Sequence, residues 1–182
     1  MSNLRIANII KDSIVDGPGL RYVVFTQGCY HKCEGCHNPQ THDPTGGFNI
    51  DTDKIFEEFV SNPMYEGITF SGGEPFLQSD ALADLAIKIN NYRDSSIAQV
   101  GRNLDIICYT GYTFEYLMNA INNEGIMSYM RLLYNIDYLI DGPFVKDKAS
   151  LDCKWRGSTN QRIIDVKATL KRNDGEIVLA DI

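Results

Sequence analysis

Three cysteines fall within eight residues of this chain, in the stretch Cys29-Tyr-His-Lys-Cys33-Glu-Gly-Cys36. Thiolates are soft ligands, suited to zinc or to iron–sulfur clusters. A structural zinc site takes four protein ligands in a tetrahedron, and a simple cluster-based electron carrier usually supplies four cysteines. The local set has three, and no second cysteine pair follows. Three thiolates can hold three irons of a four-iron cluster and leave the fourth iron open to a small molecule. The competing readings are a zinc-binding interaction module completed by His31, His37 or His42, and an electron carrier with no chemistry of its own.

A second stretch with chemical potential is Ser71-Gly-Gly-Glu-Pro75, about 35 residues after the cysteines. Two adjacent glycines let a ligand approach the backbone with no Cβ in the way. Cys108, inside an apolar run, reads as a small core residue, and Cys153, between charges, as a lone exposed thiol. His31 and His42 read as surface residues, and His37 as either a loop residue or a ligand contact.

The elements that would position these residues are legible around them. Asp16-Gly-Pro-Gly19 is a turn, and Arg21–Thr26 is a β-branched and aromatic strand, so the cysteine loop starts at the C-terminal end of a strand. Open α/β sheets and β/α barrels bind their ligands there. Gly28 lets the chain turn sharply into the loop. Asp51-Thr-Asp53 offers a helix cap, followed by Ile55, Phe56, Phe59 and Val60 at helical spacing. A strand over 67–70 runs into the glycine pair. Ser79 then caps a helix with Leu82, Leu85, Ala86 and Ile89 on one stripe. A strand over 105–110, a helix from about Phe114 to Ile121 and a strand over 138–141 complete the alternation. Alternating strands and helices predict a parallel sheet with crossover helices. Segments 164–170 and 176–180, joined around Asn173-Asp174-Gly175, predict a terminal hairpin.

The 182 residues, 43% hydrophobic and 23% charged, suit one α/β domain over 1–182. No run of about 18 apolar residues is present, and the N-terminus lacks the apolar core of a secretory signal. Five cysteines, three of them crowded, suit a reducing cytoplasm better than a disulfide framework. A net charge of −7 argues against direct nucleic-acid binding. Residues 144–172 nevertheless carry eight Lys or Arg against three Asp, either a solvated face or a docking surface for an acidic partner.

The spacing Cys-x3-Cys-x2-Cys resembles the signature of the radical S-adenosylmethionine (SAM) enzymes. The resemblance implies an incomplete β/α barrel, a 4Fe-4S cluster held by Cys29, Cys33 and Cys36, and SAM on the open iron. Carried over by position, the SAM contacts are Gly35, Cys36 and His37 in the loop, Ser71, Gly72, Gly73 and Glu74 in the glycine segment, and Thr110. The family often has an aromatic residue before the third cysteine, where this chain has Gly35. More narrowly, Asp16–Arg21, Tyr109–Tyr112, Asp141–Phe144 and Trp155–Arg162 are similar to segments of the activating proteins of anaerobic (class III) ribonucleoside-triphosphate reductases, over most of residues 5–170. That likeness implies a glycyl radical raised on the reductase as protein substrate, an electron donor of the flavodoxin or ferredoxin-like type, and a C-terminal extension from about residue 144. Activating enzymes of pyruvate formate-lyase share the cysteine loop. They are generally longer and lack the Trp-Arg-Gly-Ser segment.

Overall fold

The computed structural model describes residues 2–95, 104–172 and 174–182. Seven strands form one open sheet: β1 (Asn3–Ser13), β2 (Arg21–Thr26), β3 (Phe48–Asp51), β4 (Gly67–Gly72), β5 (Asp105–Tyr109), β6 (Tyr138–Asp141) and β7 (Arg162–Asp165). Their spatial order is β3-β1-β2-β4-β5-β6-β7. The central strands β2, β4, β5 and β6 run parallel, while β1, β3 and β7 join antiparallel at the flanks. The four strands of the predicted strand–helix alternation are these four parallel ones. The expected class, α/β with a parallel centre, is therefore observed, and the sheet is not closed.

Side chains alternate across a strand, and here the alternation sorts the sheet into two unlike faces. Tyr22, Val24, Ile68, Phe70, Ile106 and Cys108 point to one face and are buried there. Helices α1 (Thr52–Ser61), α2 (Ser79–Arg93), α3 (Phe114–Glu124) and α4 (Met127–Leu133) all pack into that same core. Burying each large apolar side chain contributes about 1.5–3 kcal/mol. Asp51 starts α1 by accepting a hydrogen bond from Asp53 N at 2.9 Å, the cap expected from Asp51-Thr-Asp53. Ser79 is the first residue of α2 and makes no side-chain cap there.

The opposite face carries Ile107, Ile140 and Ile163, covered by Trp155 and the chain end at Ala180 and Ile182. Fully buried Arg21 also lies against this face, donating from Nε to Thr69 Oγ1 at 2.7 Å and pairing with Asp105 at 2.6 Å. A Cβ on Gly17 would stand 2.7 Å from both Arg21 Cδ and Ile107 Cδ1, so glycine in Asp16–Gly19 is required by close packing as well as by its turn.

The predicted terminal hairpin is corrected. Only 162–165 form a strand. Asp165 then accepts from Ala168 N at 2.8 Å and starts a short helix, α5 (Val166–Lys171). The last segment returns beside β7 through a single bridge between Ile164 and Leu179. Asn173, in the predicted turn, lies outside the described residues.

Candidate metal centre

The cysteine loop leaves β2 and closes on itself. Gly28 N donates to Thr41 O at 2.8 Å and Cys29 N to His42 O at 3.1 Å, so both ends of the loop are tied together. Positive φ values at Gly28, Lys32 and Gly35 supply its turns. Cys36 N donates to Cys33 O at 3.2 Å, and Asn38 N points to Cys36 Sγ at 3.4 Å. Burial pushes the free thiol of Cys29 up.

The glycine segment packs directly on that loop. Gly73 N donates to Thr26 O and Glu74 N to Gly28 O, both at 2.8 Å. A Cβ on Gly72 would lie 2.6 Å from Thr26 N. One on Gly73 would lie 2.9 Å from the Gly28 carbonyl carbon and closer still to its oxygen. Only glycine allows these two stretches of backbone to touch.

One cavity of about 700 Å³ opens where these pieces meet, at the C-terminal ends of the parallel strands. Cys29, Cys33, Cys36 and His37 line it from the loop. Ser71, Gly72, Gly73 and Thr110 line it from the strand ends, so the fold brings together eight of the ten residues expected at the site. The three thiols share the cavity without being drawn onto one point. Among the described residues no three His, Cys, Asp or Glu groups stand close enough to hold a single metal ion. A three-thiol donor set beside a backbone cradle stripped of Cβ atoms fits a thiolate-held cluster with a small ligand next to it.

Gly35 and Glu74 are the two outside the lining. Gly35 faces Phe144, whose ring would be 3.5 Å from a Cβ placed there. Phe144 also lies 4.8 Å from His37, centroid to centroid, and lines the cavity. An aromatic ring therefore lies beside position 35, but it comes from residue 144. That residue stood within a noted motif, but no spacing rule linked it to the loop.

Glu74 is fully buried beneath the cavity wall. Its Oε1 accepts from Phe76 N at 3.0 Å and Thr110 Oγ1 at 2.8 Å, and its Oε2 from Gly111 N at 2.9 Å, with His31 Nε2 at 2.6 Å. The Thr110 hydroxyl also accepts from Tyr112 N at 3.1 Å. His31 is therefore no surface residue. It is largely enclosed, with its ring edge-on to Tyr112 at 4.4 Å. Its position in a polar loop gave no sign of this.

The segments near the chain's end bind one another. Arg162 pairs with buried Asp141 at the end of β6 and forks to Glu115 at 2.9 and 2.8 Å. Gln161 Nε2 donates to Gly142 O at 3.1 Å, and Asn160 Nδ2 to Pro143 O at 2.8 Å. Trp155, with φ +58°, donates from Nε1 to Ile182 O at 3.2 Å, and its carbonyl accepts from Tyr109 Oη at 2.7 Å. Cys153 lines the cavity as well, whereas Cys108 is buried in the core with its thiol pushed well up by desolvation.

A loop of three cysteines at the end of a parallel strand faces a bare glycine turn across one cavity, a donor set suited to an iron–sulfur cluster. A family model described as a 4Fe-4S single cluster domain matches residues 15–164. The chain is 33% identical to the anaerobic ribonucleoside-triphosphate reductase-activating protein of enterobacteria phage T4, over 82% of this chain and 86% of that one. It is 32% identical to the protein of the same name from Vibrio cholerae, over 82% and 90%. It is also 30% identical to the pyruvate formate-lyase-activating enzyme of Clostridium pasteurianum, over 70% and 67%. The chain belongs to the family of anaerobic ribonucleoside-triphosphate reductase-activating proteins, enzymes that use a 4Fe-4S cluster and SAM.

Proposed function

We propose that this protein is the activase that raises a glycyl radical on an anaerobic ribonucleoside-triphosphate reductase. The observation that carries the reading is the shared cavity: three thiols on one wall, the Gly72-Gly73 backbone on the other. Cys29, Cys33 and Cys36 would hold the cluster. Ser71, Gly72, Gly73, Thr110, His37 and the backbone at Gly35 and Cys36 would shape the SAM site. When bound, a reduced cluster held there would supply the one-electron reductive cleavage of SAM, the source of the radical that removes the α-hydrogen of a glycine.

This chain's residues bind, orient and exclude water. The glycine backbone offers room and polar groups to the methionine end of SAM. Phe144 and His37 form an aromatic wall that keeps water from one side. Helices on a single face, with loops and the cavity on the other, support reading the open sheet as part of an incomplete β/α barrel, and residues 1–182 as one domain extended from about 144. An open cavity mouth suits a protein substrate that completes the enclosure. A flavodoxin or ferredoxin-like donor would supply the electron. The thiol content suits the cytoplasm, and the acidic net charge supports a chain that does not bind nucleic acid directly. Among the described residues no helix is long and apolar enough to cross a membrane.

The test is to reconstitute the protein anaerobically, reduce it with SAM, and add the reductase or pyruvate formate-lyase in parallel. A glycyl radical doublet on the reductase, and little or none on pyruvate formate-lyase, is expected. The reverse preference would reassign the substrate, and zinc in place of iron would overturn the chemistry.

A further inference from the structure

Glu74 belongs to the glycine segment by sequence, yet its carboxylate faces away from the cavity. Four donors surround it: two backbone amides, from Phe76 and Gly111, the Thr110 hydroxyl and the His31 ring. They come from three places in the fold: the turn after β4, the end of β5 and the cysteine loop. A fully buried carboxylate with four short contacts has little capacity left for a ligand. It has the anatomy of a hub.

Of the four groups around the Glu74 carboxylate among the described residues, His31 is the one that comes from the cysteine loop, and it sits between Cys29 and Cys33. The ring is held on two sides. Nε2 meets Glu74 at 2.6 Å, and Tyr112 packs against it edge-on. A Cβ on Gly111 would stand 2.5 Å from His31 Cδ2, so the chain at 111 is bare where the ring lies. Apart from this side chain, the loop's links to the rest of the fold include backbone bonds at its base, such as Glu74 N to Gly28 O.

We propose that His31 and Glu74 are a positioning pair. Glu74 fastens the ends of β4 and β5 to each other and, through His31, holds the Cys29–Cys33 half of the loop over the cavity, before any cluster is present. The inference rests on reading that loop as the cluster loop. It assigns Glu74 an indirect role in place of a contact with SAM.

The test uses the full chain, first metal-free and then reconstituted, with His31→Ala, His31→Gln, Glu74→Gln and the double variant His31→Ala/Glu74→Gln. In metal-free protein, His31→Ala should raise the alkylation rate of Cys29 and Cys33 about tenfold, the loss of one charge-assisted hydrogen bond. Cys108 should not change. His31→Gln, whose amide can still donate to Glu74, should restore most of the protection. In reconstituted protein, SAM affinity is read from the change it makes in the reduced cluster's electron paramagnetic resonance spectrum. His31→Ala and Glu74→Gln should each weaken it, and the double variant should be no worse than the weaker single. Unchanged alkylation in His31→Ala would overturn the proposal, as would multiplicative losses of SAM affinity, which mark a direct contact from Glu74. Should Glu74→Gln fail to fold, the two His31 variants, at a position with some exposure, still decide the matter. The alkylation arm needs no cluster, so its outcome is separate from whether the protein binds iron at all.

Discussion

Gly73 lies so close to Gly28 that the amide after it, Glu74 N–H, hydrogen-bonds the Gly28 carbonyl at 2.8 Å, and a Cβ on Gly73 would overlap that carbonyl. Gly28 immediately precedes Cys29. A side chain at 73 therefore presses on the cysteine loop as well as on the cavity. Gly73→Val is expected to lose about 1–3 kcal/mol of stability through overpacking and to lower iron loading along with SAM affinity. Thermal unfolding and iron content of the same preparation check this. Normal iron with only SAM affinity lost would show that the loop yields to the new side chain without moving its cysteines.

Four of the five cysteines line the cavity, and Cys108 alone is buried in the core. Cys29, Cys33 and Cys36 come from one loop and share one cavity. Anaerobic reconstitution should load about four irons per chain, and alanine at any of the three should abolish it. Cys108, buried in the core, should lose only about 1 kcal/mol on change to alanine, with iron content intact. Cys153 faces the cavity from the opposite segment, and Cys153→Ser should also keep its iron. Iron loss in Cys153→Ser would add that thiol to the ligand set.

Where sequence carried the answer, the reason was local chemistry. An apolar run with β-branched or aromatic residues that stops at a glycine announces a strand, and the central strands β2, β4, β5 and β6 all have that character, β2 alone leading on into three spaced cysteines. The flanking strands β1 and β3 depend on pairing partners rather than on their own pattern, and the helix 166–171 depends on a single aspartate cap. Among the residues that went unrecognised at the site are His31 and Phe144. Both act across large sequence separations, His31 on Glu74 and Phe144 on Gly35 and His37. Nothing in a polar loop reports that a buried carboxylate waits 43 residues away.

Arg162 gives the fold an acid-sensitive joint. Its hydrogen bond holds the Glu115 carboxyl down to about 2, from an ordinary 4.5. A depressed carboxylate contributes stability that is present above its unfolded pKa and lost as the pH falls through the folded value. Metal-free protein should lose that contribution between about pH 4.5 and 2, and Arg162→Met should flatten this part of the profile. Glu115 is mostly exposed, so screening keeps its share small. The larger cost of Arg162→Met appears at neutral pH, about 3 kcal/mol, because buried Asp141 loses its cation. Urea unfolding at pH 7, 4.5 and 3 separates the two effects. Parallel profiles for the two proteins below pH 4.5 would remove Glu115 from the joint.

The basic segment 144–172 carries an excess of five positive charges in sequence, but the fold spends much of it internally. Lys146 pairs with Glu34, Arg162 with Glu115 and Asp141, Lys167 with Asp137, and Arg172 with Asp174 and Glu176. Those six carboxylates all lie outside the segment and outnumber its excess, so the surface they share has no net positive field to draw an acidic donor. Lys148, Lys154, Arg156 and Lys171 have no carboxylate partner among the described residues, and Lys148, Lys154 and Lys171 are exposed. Reversing Lys146, Lys148 and Lys154 to glutamate should therefore slow reduction by a protein donor less than about fivefold, in the range of exposed charge pairs, and leave reduction by dithionite unchanged. The comparison is made by stopped-flow reduction of the cluster at low and high salt. A loss of a hundredfold at low salt, erased by added salt, would show instead that these lysines form the donor's docking surface.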